Sequence, residues 1–200
     1  MINKYLNYVS QKKSQIIIFI LFNLCGLAFI LLPYGIVWNM LDLNLSYTSA
    51  DVFKSFYQMG ENGRYINLYS TLILDTIYPI LYTSLILGAY VKLFKNNNLI
   101  LFIPTTAFLL DLTENINIAY MNINYLDLNE TQVMLGSMVT SIKWLTITTM
   151  ILALVFGYVK KNRLKLVFKV TNASKCHRNS SIVSCFNHIL IIHRATRLNY

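Results

Sequence analysis

The chain alternates between long apolar stretches and short polar segments. Four apolar stretches cover residues 16–38, 68–94, 99–120 and 133–159. Roughly 20 residues of helix cross the hydrocarbon layer of a bilayer, which is about 30 Å thick, so each stretch is long enough to span it. A backbone in contact with lipid must satisfy its own hydrogen bonds, which favours helices. The pattern therefore predicts an all-helical, multi-pass membrane protein with four transmembrane helices in a bundle.

This pattern divides the chain into three regions. Residues 1–15 form an N-terminal segment, residues 16–159 the four-helix transmembrane domain, and residues 160–200 a basic tail that we expect to be poorly ordered. The first apolar stretch follows lysines, as a signal peptide does, but it is longer than the roughly 7–15 apolar residues of a signal sequence. We therefore interpret it as a retained span.

The first outer loop contains a short helix signal. Four apolar residues recur at the spacing of one helix face: Val52, Phe53, Phe56 and Tyr57. Ser49 to Asp51 resembles a helix start, and Gly60 and Gly63 are stop signals. The loop is thus expected to hold a short amphipathic helix on the outer leaflet. Such a helix would either seal the bundle as a lid or gate a cavity.

Composition and charge agree with a membrane location. The chain is 56% hydrophobic and only 12% charged, against about 25% charged in soluble domains. Basic residues without any Asp or Glu occupy residues 1–15, 92–95 and 160–169. By the positive-inside rule both termini are cytoplasmic. Topology accounts for the net charge of +9, so we predict membrane lipids as partners and no nucleic acid.

Four ionisable residues interrupt the apolar stretches: Asp75, Asp111, Glu114 and Lys143. Each costs roughly 2.5 to 3.5 kcal/mol near a bilayer centre, so pairing or function must offset that cost. At 1.5 Å per helical residue, they lie about 9 to 15 Å below the outer boundary. This common depth predicts that they converge on one internal cluster. Three carboxyl groups against one ammonium predict that at least one carboxyl group is protonated at neutral pH.

Helical spacing orients these residues toward one another. Thr71, Asp75, Tyr78 and Tyr82 share one face of the second stretch, and Ala107, Asp111, Glu114, Asn115 and Ile118 share one face of the third. Pro79 cannot donate a hydrogen bond to the carbonyl of Asp75. A hydroxyl group of Tyr78 or Thr71, or a water, is expected to satisfy that carbonyl.

The candidate site follows from this arrangement. The candidate catalytic residues are Asp75, Asp111 and Glu114, and the candidate substrate-binding residues are Tyr78, Tyr82, Asn115, Lys143 and Trp144. The favoured hypothesis is an integral membrane protein that binds or acts on an amphipathic lipid or isoprenoid. One alternative is a proton- or cation-coupled transporter acting as a homo-oligomer, and another is a scaffold whose polar seam only holds helices together. No cofactor motif is present, and no enzymatic reaction is assigned.

The C-terminal tail contains a second group of chemically active residues. These are Cys176, His177, Cys185, His188 and His193. Their spacing matches none of the paired zinc patterns, so the prediction is that the chain binds no metal.

Four sequence segments carry a family resemblance. They begin at Gly60 (GENGRY), Asp75 (DTIYPILY), Asp111 (DLTEN) and Ile142 (IKW). With their D-x-x-Y-P and D-x-x-E-N motifs, they resemble landmarks of uncharacterised small four-helix integral membrane proteins over roughly residues 10–160. The chain also looks loosely like the emopamil-binding, sterol-isomerase-like bundles, although none of its spans carries a histidine. The first resemblance implies an architecture, and the second implies acidic residues around an apolar substrate.

Overall fold

The computed structural model describes the backbone of residues 2–94 and 98–178, and the side chains of residues 2–94 and 101–163. This part of the chain is helical and contains no strand. The five α-helices are α1 (Ile2–Val9), α2 (Lys12–Ile30), α3 (Ser49–Phe94), α4 (Asn98–Ile123) and α5 (Glu130–Arg178), and two 3-10 helices cover Ile36–Asn39 and Leu41–Leu43. The chain divides into two compact units, Met1–Val155 and Phe156–Tyr200. The second unit contains the C-terminal part of α5, and the candidate site described below lies in the first.

Three helical segments among the described residues are long and apolar enough to cross a membrane: Lys12–Ile30, Ser49–Phe94 and Glu130–Arg163. The prediction of an all-helical membrane protein is therefore confirmed. Helix α4 does not belong to this set, and its C-terminal half carries the polar residues Asp111, Glu114, Asn115 and Asn117. The count of four spans and the bundle stay predictions, as does the division at residue 160.

Helix α2 ends at Ile30, eight residues before the end of the first apolar stretch. Pro33 follows the helix, and Tyr34 and Gly35 both adopt left-handed backbone angles, with φ of 60° and 63°. Two successive left-handed residues turn the chain sharply. Residues other than glycine rarely adopt this conformation, so Tyr34 is the unusual member of the pair. The first span is therefore 19 residues long, and the chain turns back to bury Ile36.

Helix α3 begins at Ser49, as its sequence predicts. Thr48 and Asp51 exchange capping hydrogen bonds there: the Thr48 backbone N–H donates to Asp51 Oδ2 at 2.9 Å, and the Asp51 N–H donates to Thr48 Oγ1 at 3.3 Å. Gly60 interrupts the helix with φ 67° and ψ 179°, so residues 49–59 form the predicted short helix. Gly63 continues the helix instead of stopping it, and a Cβ at this position would lie only 3.3 Å from Tyr34 Cβ.

The outer loop and the start of α3 are packed against the helices. One apolar cluster joins Leu41, Tyr47, Val52, Phe56, Met59, Ile118, Met121 and Val133. A second cluster joins Tyr90, Ala107 and Met150, where the Tyr90 hydroxyl donates to the Met150 carbonyl at 2.7 Å. These two clusters connect α3, α4 and α5 on both sides of the charged residues.

The N-terminal helix α1, which the sequence pattern did not reveal, is attached to α3. The Tyr5 hydroxyl lies 2.6 Å from Ser84 Oγ. Gln15 Nε2 donates to the Val9 carbonyl at 2.6 Å and to the Leu85 carbonyl at 3.3 Å. Side-chain hydrogen bonds therefore hold the turn between α1 and α2 against α3.

Candidate functional site

Lys143 of α5 is the centre of a buried charged cluster. Its side chain forms ion pairs with Glu114 and with Asp111 of α4, the latter at 3.5 Å between Nζ and Oδ1. Lys143 is only 4% exposed and Glu114 is fully buried. The structure thus brings together three of the four ionisable residues for which the sequence predicts a common depth in the membrane. Their catalytic and binding roles stay predictions.

Glu114 uses its two carboxyl oxygens differently. Oε1 accepts a hydrogen bond from Thr140 Oγ1 at 2.5 Å. Oε2 faces Lys143 and has no hydrogen-bond partner besides this ion pair. The threonine lies one helical turn from Lys143, so α5 supplies both groups that hold Glu114.

Tyr82 of α3 extends the cluster by donating its hydroxyl proton to Asp111 Oδ2. Asp111 therefore accepts from a phenol on one side and faces an ammonium on the other. Tyr82 is one of the predicted substrate-binding residues, and this contact engages its hydroxyl within the protein.

Asp75 differs from the other buried carboxyl groups. Its side chain is 8% exposed, and no described residue forms a hydrogen bond or ion pair with its carboxyl oxygens. Cys25 of α2, a buried free thiol, lies near it. Asp75 is thus a nearly buried polar group without a partner, next to a fully paired cluster.

The backbone carbonyl of Asp75, which Pro79 deprives of its helical donor, accepts a hydrogen bond from Asn115 Nδ2 at 2.6 Å. The observed donor is thus an amide of α4, and the expectation of a Tyr78 or Thr71 hydroxyl is wrong. A side chain from α4 can occupy this carbonyl because Pro79 leaves it without its helical donor. Asn115, a predicted substrate-binding residue, has a structural contact here.

Tyr78 faces the first span. Its ring stacks on Phe22 with centroids 4.7 Å apart and meets Phe29 edge-on at 5.9 Å. Gly26 also lies beside it, since a Cβ at Gly26 would be 3.8 Å from the Tyr78 ring. Tyr78 therefore belongs to an aromatic surface shared by α2 and α3, on the helix turn that follows Asp75.

The outer loop contributes a feature that sequence reasoning missed. Residues 42–47, which we name the strap, run antiparallel along α5. The Asp42 carbonyl accepts hydrogen bonds from Lys143 Nζ at 3.3 Å and Trp144 Nε1 at 3.1 Å. Ser141 Oγ donates to the Leu45 carbonyl at 2.8 Å, and the Tyr47 N–H donates to Ser137 Oγ at 2.9 Å. The strap therefore carries loop residues down to the charged cluster.

The strap adds a fourth carboxyl group, that of half-buried Asp42. Burial raises the pKa of Asp42 above its usual range, and the nearby Lys143 ammonium works in the opposite direction. No charge pattern in the sequence marks this residue, because its position depends on how the loop folds back. Trp144, a predicted substrate-binding residue, has its indole N–H bonded to the strap and its ring 5.3 Å from Lys143 Nζ.

The tail cysteines and histidines lie outside the residues whose side chains are described, so the prediction that they bind no metal stays a prediction. No protein-family model, no curated protein and no solved structure matches the chain. The helical architecture and the three apolar helices define a helical membrane protein, and its distinguishing feature is a charged cluster buried among α3, α4, α5 and the strap.

Proposed function

We propose that α4 is a fourth span and that the four long helices form a bundle with both termini in the cytoplasm. Helix α4 has 26 residues, which gives about 39 Å of helix. Its charged side chains are buried against α3 and α5, while Phe102, Leu109 and Ile116 are exposed. A helix with its charges enclosed and an apolar outer surface suits lipid.

Thiol labelling tests this topology. In a chain whose three native cysteines are replaced by alanine, Asn44→Cys and Asp127→Cys place thiols in the two exposed outer loops. A membrane-impermeant thiol reagent is expected to label both from the same side of an intact vesicle. If the reagent labels them from opposite sides, α4 does not cross the membrane.

We further propose that the protein binds the polar group of an amphipathic lipid or isoprenoid at Asp75. The observation that carries this proposal is the nearly buried Asp75 carboxyl group without a partner among the described residues. A largely buried carboxyl group without a hydrogen bond from the protein keeps its oxygens available to a ligand, and a bound ligand supplies the missing partner. The aromatic surface of Phe22, Phe29 and Tyr78 offers an apolar contact next to it.

The charge balance of the cluster restricts the ligand. Four carboxyl groups, those of Asp42, Asp75, Asp111 and Glu114, surround the single ammonium of Lys143, which is already engaged by Asp111 and Glu114. An anionic phosphate group would meet net repulsion without a free cation to bind it. The site therefore favours a head group that donates hydrogen bonds, namely a hydroxyl or an amine. A sterol or isoprenoid alcohol and an amino-lipid have this chemistry.

Native mass spectrometry with lipid identification tests the proposal on protein purified in mild detergent. The wild type is expected to carry a stoichiometric hydroxyl- or amine-bearing lipid, and Asp75→Asn is expected to lose most of it. Asp127→Asn removes an exposed carboxyl group of the outer loop and is the matched control. Equal lipid content in wild type and Asp75→Asn overturns the proposal, and so does a wild type without bound lipid.

Proton- or cation-coupled transport is the second candidate, and the same excess of carboxyl groups over ammonium groups favours it. A buried site with four acids and one base has capacity for an exchangeable proton or cation. A chain this short would need to act as an oligomer. Ion- or proton-dependent flux in liposomes that Asp75→Asn abolishes would support this candidate. A protein with neither flux nor a bound lipid is best explained as a scaffold.

A further inference from the structure

Four buried polar atoms in the described part of the chain lack a hydrogen bond, and two of them lie near one another. These two are Tyr47 Oη and Asn117 Nδ2; the others are Thr83 Oγ1 and Glu114 Oε2, and Lys143 engages the latter in an ion pair. Tyr47 is 5% exposed and Glu114 is fully buried. Buried polar atoms are rarely left without a hydrogen bond. Unpaired atoms that lie close together therefore suggest that a further polar group bonds to them.

Gly136 of α5 lies at the centre of this region. A Cβ built on Gly136 would overlap Asn117 Nδ2 and would lie 2.8 Å from the Tyr47 hydroxyl oxygen. The two unpaired atoms therefore both face the bare Cα of this glycine. The Tyr47 hydroxyl is close to the side chains of Thr140 and Asn117, yet it forms a regular hydrogen bond with neither.

These groups lie one after another between the cluster and the outer end of α5, with gaps on both sides of the Tyr47 hydroxyl. Glu114 Oε1 accepts from Thr140 Oγ1, the Tyr47 hydroxyl follows, and then the Asn117 side chain, whose Oδ1 accepts from Gln132 Nε2 at 3.3 Å. Thr140, Gly136 and Gln132 are successive members of one i, i+4 face of α5. Gln132 is half-buried and lies in the first turn of α5.

We infer that the Thr140 and Tyr47 hydroxyl groups, joined by water that the Asn117 and Gln132 side chains hold in place, form a proton route between Glu114 and the outer end of α5. Hydroxyl groups and water both donate and accept hydrogen bonds, which a proton relay requires. A buried water needs about two to four polar partners, and the Tyr47 hydroxyl and Asn117 Nδ2 beside Gly136 supply two. The route concerns Glu114 and does not depend on whether a lipid binds at Asp75.

Infrared measurement of thiol exchange tests the route. In a chain whose native cysteines are replaced by alanine, Thr140→Cys places a thiol on the route, and its S–H stretch is followed after transfer into D₂O. The control is Val133→Cys: Val133 is 2% exposed, belongs to the outer apolar cluster, and lies nearer than Thr140 to the start of α5. If depth alone sets the exchange rate, the Val133→Cys thiol exchanges faster than the Thr140→Cys thiol. If the route exists, the Thr140→Cys thiol exchanges faster, by about tenfold or more.

A second pair makes the test independent of whether Thr140→Cys folds. Asn117→Cys lies on the route, and Ile118→Cys is its buried neighbour on α4. Adding Tyr47→Phe to Thr140→Cys is expected to slow exchange, whereas adding Tyr65→Phe, at an exposed tyrosine of α3, leaves it unchanged. Exchange at Thr140→Cys that is no faster than at Val133→Cys overturns the inference. Should Thr140→Cys not fold, equal rates at Asn117→Cys and Ile118→Cys overturn it.

Discussion

Lys143 and Glu114 form an ion pair from which solvent is excluded, because Glu114 is fully buried and Lys143 is 4% exposed. Removing one partner of such a pair leaves an uncompensated buried charge. We expect Lys143→Met to lower the free energy of unfolding by about 3 to 5 kcal/mol, measured by thermal or denaturant unfolding in detergent. The exposed Lys54→Met is the control.

The double variant of Lys143→Met with Glu114→Gln separates charge from packing. The glutamine amide oxygen still accepts from Thr140, while one of the two carboxylates that Lys143 compensates is gone. We therefore expect the double variant to recover about half or more of the lost stability. A double variant as unstable as Lys143→Met alone would mean that packing of the lysine stem, and not its charge, stabilises the site.

Asn115 replaces the hydrogen bond that Pro79 removes from α3, and this predicts a coupling between the two residues. Asn115→Leu leaves the Asp75 carbonyl without a donor and should cost about 1 to 3 kcal/mol. In a Pro79→Ala background the residue 79 N–H is available to that carbonyl, so the same substitution should cost clearly less. A double-mutant cycle on unfolding free energies measures the difference, and additive costs would contradict the assignment.

The charged cluster shows how much of this protein the sequence reveals. Asp111, Glu114 and Lys143 do meet, because equal depth in straight helices constrains where their side chains lie. The Tyr82 to Asp111 contact follows from the shared faces of two helices in the same way. In a regular helix, the spacing of residues in the sequence thus determines where their side chains lie in space.

The contacts of the strap could not be predicted from the sequence, because the strap is not part of a regular helix. Asp42 and Tyr47 lie in an irregular loop, where no period relates sequence position to direction. Their contacts with α5 depend on the turn at Tyr34 and Gly35, and a left-handed tyrosine is not predictable from its type. For the same reason the first span was predicted to extend to Trp38, whereas α2 ends at Ile30.

Gly88 allows the turn between α1 and α2 to approach α3 closely. A Cβ at this position would overlap the Val9 carbonyl oxygen and Gln15 Nε2. Gly88→Ala should therefore displace α1, with a cost of about 1 to 3 kcal/mol and faster amide hydrogen exchange throughout α1. At the matched control Gly26, a Cβ would find its nearest neighbour at 3.8 Å, so Gly26→Ala should be tolerated. Unchanged exchange in α1 of Gly88→Ala would contradict this packing.

The capping hydrogen bonds at the start of α3 predict a pH dependence. Hydrogen bonds from the Thr48 hydroxyl and backbone N–H lower the pKa of Asp51. A folded pKa below the unfolded value, which is about 3.9, gives stability that is present above that pH and is lost as the pH falls through the folded pKa. Asp51→Asn should therefore lower the Tm at pH 7, and the difference from wild type should shrink as the pH falls below the unfolded value. Asp127→Asn, at an exposed carboxyl group without such hydrogen bonds, is the control, and a difference that persists undiminished at low pH would contradict the capping role.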